Sequence, residues 1–212
     1  MPMMNVFIFL AGLLIYAGYG LPGLGYLAAA TLLSYGAALL TGRFRWTMWL
    51  AVAAHGVMLV LLKLQPVTGM ELIAAMGVSY FSLQLISYNV DVWKGKYPAE
   101  KNLYRFALYV TYLPHLFIGP IEPYPQFTSA LGQRQMNWDD LFQGGARALW
   151  GLFKKLVIAA RLGVIIGAIS ADPETYRGGY ALTAMLLYSL QLYSDFSGGM
   201  DLVLGISQML GL

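Results

Sequence analysis

The residues able to do acid–base or hydrogen-bonding chemistry in this sequence sit within runs that are otherwise apolar. Tyr80, Gln84, Ser87 and Asp91 follow one another at spacings of four, three and four. At about 100° per residue a helix carries all four in one narrow stripe. Tyr188, Gln191 and Asp195 repeat the pattern at three and four, and Asp201 follows after Ser197-Gly198-Gly199. His115 stands beside Pro114, just ahead of Gly119-Pro120-Ile121-Glu122. Carboxylates, amides and hydroxyls facing lipid are costly, so such stripes are expected to face a bundle interior or a wet cavity. There they can hold a substrate, line a tunnel or move a proton, and a histidine can act as acid, base or donor near neutral pH. The plainer reading is packing, since hydroxyls and amides commonly bond neighbouring membrane helices at about 0.6 kcal/mol each. Asp195 is the hardest of the set to explain that way. Gln84, Ser87, Asp91, His115, Glu122, Tyr188, Gln191, Asp195 and Asp201 are therefore the candidates for a tunnel or substrate lining.

Basic residues accompany them. Arg147, Lys154 and Arg161 are seven apart and so share a helix face. Lys154 and Lys155 read as side chains that reach back to the headgroups. Arg161, deeper in its run, is a candidate partner for Asp195. His55, amid alanine and valine, reads as a packing residue. The absence of cysteine excludes disulfides and thiolate chemistry. With only two histidines, no metal site is expected, and no bound cofactor. No Ser-His-Asp set, P-loop or nucleotide fingerprint is present. The net charge of +3 includes no dense basic patch of the kind nucleic acid requires.

The elements that must position these groups are membrane-spanning helices. Of 212 residues, 58% are hydrophobic and 11% charged, against roughly 25% charged in soluble domains. The first 42 residues contain no Asp, Glu, Lys or Arg, enough for two crossings of about 20 residues each. The fold class expected is an all-α integral membrane protein, a polytopic bundle forming a single membrane domain over 1–212. Spans are expected at Asn5–Tyr19, Leu24–Leu40, Trp46–Leu62 (ended by Lys63 and Pro66) and Leu72–Val90. Phe106–Ile121, interrupted by Pro114 and Gly119-Pro120, is either a Pro-broken, re-entrant element or one short kinked crossing. Asn137 can cap a helix from Trp138, with Asp139 and Asp140 in its first turn, running into a fifth span that ends near Ile169. Tyr180–Phe196 is a further span, which Ser197-Gly198-Gly199 loosens before another element begins at Leu202. Basic residues mark cytoplasmic loops. Arg43, Arg45 and the Lys94–Arg105 cluster therefore place the N-terminus inside, Gln65–Gly69 outside and, if 106–121 is re-entrant, Arg147 inside.

Three blocks, in order and spacing, carry a resemblance. They are Gly77-Val-Ser-Tyr-Phe-Ser-Leu-Gln-Leu-Ile-Ser-Tyr-Asn-Val-Asp-Val-Trp-Lys-Gly-Lys96, Leu113-Pro-His-Leu-Phe-Ile-Gly-Pro-Ile121 and Gln191-Leu-Tyr-Ser-Asp-Phe-Ser-Gly-Gly-Met-Asp201. Gly151-Leu-Phe-Lys-Lys-Leu-Val-Ile-Ala159 fits as well, although Ala160 stands where an acid is expected. Together they resemble the membrane-bound O-acyltransferase family, in the branch of the bacterial alginate O-acetylation and teichoic-acid D-alanylation proteins. The resemblance implies a multi-helix enzyme around a central tunnel. It would move an acyl group from a cytoplasmic thioester donor, its co-substrate, to a hydroxyl of an extracytoplasmic glycan. It implies the bacterial cytoplasmic (inner) membrane as location, with an acyl-carrier protein or other envelope-modification proteins as partners beside the bilayer itself. It further implies a catalytic histidine in a Trp-x-x-His segment. No Trp follows Trp150 and no His follows His115. That histidine is therefore expected beyond Leu212, no catalytic residue is assigned within the chain, and the chain is expected to be the N-terminal part of such an enzyme. Broken helices with midplane polar groups also suit a transporter or flippase-like protein, and a catalytically inactive scaffold is a third reading.

Overall fold

The computed structural model describes residues 2–18, 20–68, 77–112, 121–133, 137–172 and 174–212. Among these residues all regular structure is helical. They form two compact units, residues 1–132 and 133–212.

The first unit begins with α1 (Pro2–Ala17), α2 (Leu21–Thr41) and α3 (Thr47–Thr68). Gly20 at φ +90° turns the chain into α2, and a proline sits in the first turn of that helix, where a missing N–H costs nothing. Two threonines close the α2–α3 turn. The Thr41 and Thr47 hydroxyls both donate to the Ala37 carbonyl, at 2.8 and 3.0 Å, which satisfies an acceptor near a helix end. Deeper in the pair, Ser34 Oγ lies 2.7 Å from His55 Nε2, with both residues buried. The packing role read for His55 thus has a specific partner. α2 is 21 residues long, and the Thr47–Leu64 stretch of α3 is 18; both are apolar and long enough to cross a bilayer. α3 continues to Thr68, so neither Lys63 nor Pro66 ends it as expected. A proline forfeits one backbone bond, and within the last turn that loss need not unwind a helix.

α4 (Val78–Trp93) follows Gly77 at φ +80°. The expected start of this span at Leu72 falls on residues 69–76, outside the described residues. α5 (Leu103–Thr111) is capped by Asn102, whose side-chain oxygen accepts from the Arg105 N–H at 3.2 Å. It ends before Tyr112, whose ψ of 111° leaves the helical region. Residues 113–120, on which the re-entrant reading rests, lie outside the described residues. α1 crosses α5 at Gly12, where a Cβ would fall 2.2 Å from the Thr111 carbonyl oxygen. α6 (Tyr124–Gln133) completes the unit. Its core is aromatic: Tyr88, Phe106, Tyr109, Tyr124 and Phe127 pack ring to ring with centroids 4.7–5.4 Å apart.

The second unit holds α7 (Trp138–Phe153), a π-helical turn (Lys154–Ala159), α8 (Ala160–Ala171) and α9 (Gly179–Met209). Asn137 caps α7 as its sequence position suggests, its side-chain oxygen accepting from the Asp140 N–H at 2.6 Å. α9 is one unbroken helix of 31 residues. Ser197-Gly198-Gly199 does not loosen it, and Leu202 opens no new element. The glycines act across the helix pair instead. A Cβ on Gly151 would lie 2.5 Å from the Gly198 carbonyl oxygen, and one on Gly144 2.6 Å from that of Gly205. The pairs 144/205 and 151/198 run in opposite senses, so α7 and α9 are antiparallel with their backbones in contact. Such small-residue seams let membrane helices approach closely.

Candidate functional site

The α7–α9 seam carries a chain of ion pairs. Asp201 takes Arg147 on one carboxylate oxygen, at 3.1 Å, and Lys154 on the other. Lys154 also donates to Ser197 Oγ at 2.5 Å. Lys155 donates to Asp195 at 2.5 Å. Arg161, expected as the partner of Asp195, is exposed instead. The antiparallel register gives the reason. The pairs 144/205 and 151/198 set Asp195 beside Lys154 and Lys155 and leave Arg161 about two turns further along the seam. Arg147 and Lys154 keep their common face and meet at Asp201. Lys154 and Lys155 are therefore paired, in place of the free headgroup-seeking role expected of them. The backbone contacts at Gly151 and Gly198 bring these side chains within reach of one another.

The carboxylates differ in what they can do. Both oxygens of Asp201 are engaged, which suits it to fixing the seam and little else. Asp195 has one oxygen on Lys155 and keeps 49% of its side-chain surface accessible, so it can also meet a group from outside this unit. Gln191 lies over α8, where a Cβ on Gly163 would meet its Nε2 at 2.8 Å. Tyr188, from the same stripe, is exposed.

In the first unit the Tyr80–Asp91 stripe straddles the edge of the buried face of α4. Gln84 and Asp91 are buried, Ser87 is half-buried and Tyr80 exposed. Gln84 Nε2 points to the Tyr109 carbonyl at 3.4 Å, and Asp91 pairs with Lys96 at 2.7 Å. The Tyr109 hydroxyl donates to the backbone carbonyl of Glu122 at 2.6 Å. His115 lies outside the described residues. The structure thus joins Gln84 and Glu122 through Tyr109, and ties Asp195 and Asp201 of α9 to the adjacent Lys155 and Lys154.

Sequence reasoning passed over Glu100. One of its oxygens accepts from the Tyr124 hydroxyl at 2.5 Å, the other from the Asn102 N–H at 2.7 Å, while its own N–H donates to Tyr88 at 2.9 Å. Burial acts to raise this carboxyl, but the hydrogen bonds from Tyr124 and the backbone outweigh it and hold the group below the ordinary carboxylate range. Burial, then the bonded carboxylate, push the Tyr124 hydroxyl upward. The available signal was the Glu-x-Asn pair ahead of an amphipathic helix. Among the described residues no three His, Asp or Glu side chains converge as a metal set.

No protein-family model matches the sequence. It is, however, 32% identical over 98% of its length to a Pseudomonas fluorescens protein named probable alginate O-acetylase AlgI. The chain belongs to the membrane-bound O-acyltransferase family. A Helicobacter pylori relative, a peptidoglycan O-acetyltransferase, is 28% identical over 65% of the chain, and a Streptococcus thermophilus teichoic acid D-alanyltransferase is 24% identical over 79%. The chain spans 43%, 31% and 42% of these three relatives, less than half of each. The P. fluorescens match takes in both units, so the α7–α9 seam and the α4 stripe both lie within the matched region.

Proposed function

We propose that this chain forms part of a polytopic, all-helical enzyme of the bacterial cytoplasmic membrane that acylates an extracytoplasmic glycan. The observation that carries the reading is the similarity to relatives whose names share one act, transfer of acetyl or D-alanyl to a cell-envelope polymer. The reaction is acyl exchange between heteroatoms. The glycan hydroxyl oxygen attacks the thioester carbonyl, the carbon–sulfur bond breaks, the ester forms, and the hydroxyl proton ends on the departing thiol. Donor and carrier lie on the cytoplasmic side and acceptor outside. The basic residues Arg43, Arg45 and Lys94–Arg105 support the inward orientation of their end of the first unit. The large apolar side chains exposed on α9, such as Leu182, Leu186, Leu190 and Tyr193, support a lipid or helix environment around it, because water-facing surfaces rarely carry so large an apolar patch.

The residues of this chain serve this reaction as walls and anchors. The Asp201–Lys154–Arg147 cluster fixes the antiparallel pair, and Asp195 is the acid that can meet a substrate or a neighbouring helix. The test is made on cells in which the gene carrying this chain is deleted and then restored. Alkali-labile acyl esters on the envelope glycan should vanish on deletion and return on restoration. Restoration with Asp195→Ala should recover less than half of them, whereas Ser82→Ala should recover nearly all. An ester content untouched by deletion rejects the reading.

A further inference from the structure

The first unit has a cleft that the acyl-transfer reading does not use. It measures about 640 Å³ and lies where the end of α2, the α2–α3 turn and the end of α4 meet the 94–102 loop. This is within the size range of small-molecule sites. Arg45, Lys96 and Lys101 line it, together with Trp93 and the apolar Leu39 and Val92. The Arg45 guanidinium carbon lies over the Trp93 ring, 5.0 Å from its centroid, and a guanidinium can bind phosphate through two N–H groups. The charged groups lining the cleft are these three cations, and among the described residues Asp91 pairs with Lys96. Glu100 in the same loop is turned to Tyr124. Trp46 and Trp49 are each 62% exposed beside the α2–α3 turn, and exposed tryptophans next to basic residues mark the headgroup level of a bilayer.

We infer that this cleft binds the phosphodiester headgroup of an anionic phospholipid, with phosphate against Arg45, Lys96 and Lys101 and the first methylenes of the acyl chains against Leu39 and Val92. The inference rests on the membrane-spanning reading and on no catalytic assignment. Free phosphate offers the same chemistry, but it would not account for the apolar rim or the flanking tryptophans.

The test uses the 212-residue chain purified in detergent, with lipid retention measured by native mass spectrometry. Phosphatidylglycerol should be retained about tenfold more strongly than phosphatidylcholine, since each basic side chain near an anionic headgroup contributes several-fold. The preference should vanish in the triple variant Arg45→Gln, Lys96→Gln, Lys101→Gln and persist in Arg177→Gln, a cation of the second unit. Ala99→Phe fills the cleft and keeps its charges. It should lose the preference too, which keeps the inference testable if the triple variant aggregates. Equal retention of the two lipids, or a preference that survives Ala99→Phe, overturns it. Binding of inorganic phosphate through the same cations without any lipid preference also overturns the headgroup assignment. Alkaline extraction of membranes separates this from the underlying reading: a chain that stays in the pellet without lipid preference refutes the cleft alone, whereas a released chain refutes the membrane spans.

Discussion

Replacing Gly151 by alanine places a methyl carbon 2.5 Å from the Gly198 carbonyl oxygen and 2.7 Å from the Leu202 backbone nitrogen. Both neighbours are backbone atoms of a continuous helix, so no side-chain rotation relieves the clash. Restoring ordinary contact at about 3.4 Å requires α7 and α9 to separate by about 0.9 Å. Overpacking of this kind costs roughly 1–3 kcal/mol, and the separation also lengthens the Lys154–Asp201 pair next to it. Gly145 is the control: its added methyl meets nothing within 4 Å, so Gly145→Ala should be neutral or stabilising by up to ~1 kcal/mol through helix propensity alone. Thermal unfolding in detergent, followed by fluorescence of Trp138 and Trp150 on α7, reads both variants. Gly151→Ala should melt several degrees lower and Gly145→Ala should not. Gly198→Ala fills the same gap from the other side, so the double variant should cost less than the sum of the two by at least about 0.5 kcal/mol. Equal melting of Gly151→Ala and Gly145→Ala, or strict additivity with Gly198→Ala, refutes the backbone seam.

Asp201→Asn should destabilise the second unit by about 1–3 kcal/mol, because it leaves the largely buried Lys154 without a charge partner. The double variant Asp201→Leu, Lys154→Met should recover most of that loss in the same melting assay. Glu100 sets a pH dependence. Its folded carboxyl lies below the ordinary value, so its contribution is complete above the unfolded value near 4.3 and is lost as pH falls through the folded one. Chemical denaturation between pH 6 and pH 3 should show this decline in the parent and a flatter profile in Glu100→Gln. The chain has no cysteine, so Ala99→Cys gives a single reporter. In intact cells it should resist an impermeant thiol reagent, and ready labelling would reverse the proposed orientation.

The sequence by itself determined the helical class, the two helices α2 and α3 that are long and apolar enough to cross a bilayer, the Asn137 cap and the family. Each of these depends on signals within one element: apolar runs of bilayer length, a capping residue next to acids, and ordered blocks such as Gln191–Asp201. Only the tertiary structure decided which acid meets which base, and what the glycines are for. Glycine weakens a helix in isolation and tightens it against a neighbour, so the role of Gly198 is legible only with Gly151 opposite it. The partner of Asp195 changed from Arg161 to Lys155 because the glycine contacts fix the register of α7 and α9, and residue spacing within one helix carries no information about that register. The Arg45–Lys96–Lys101 cleft was equally invisible, since its cations come from segments about 50 residues apart that meet only when three helix ends pack together.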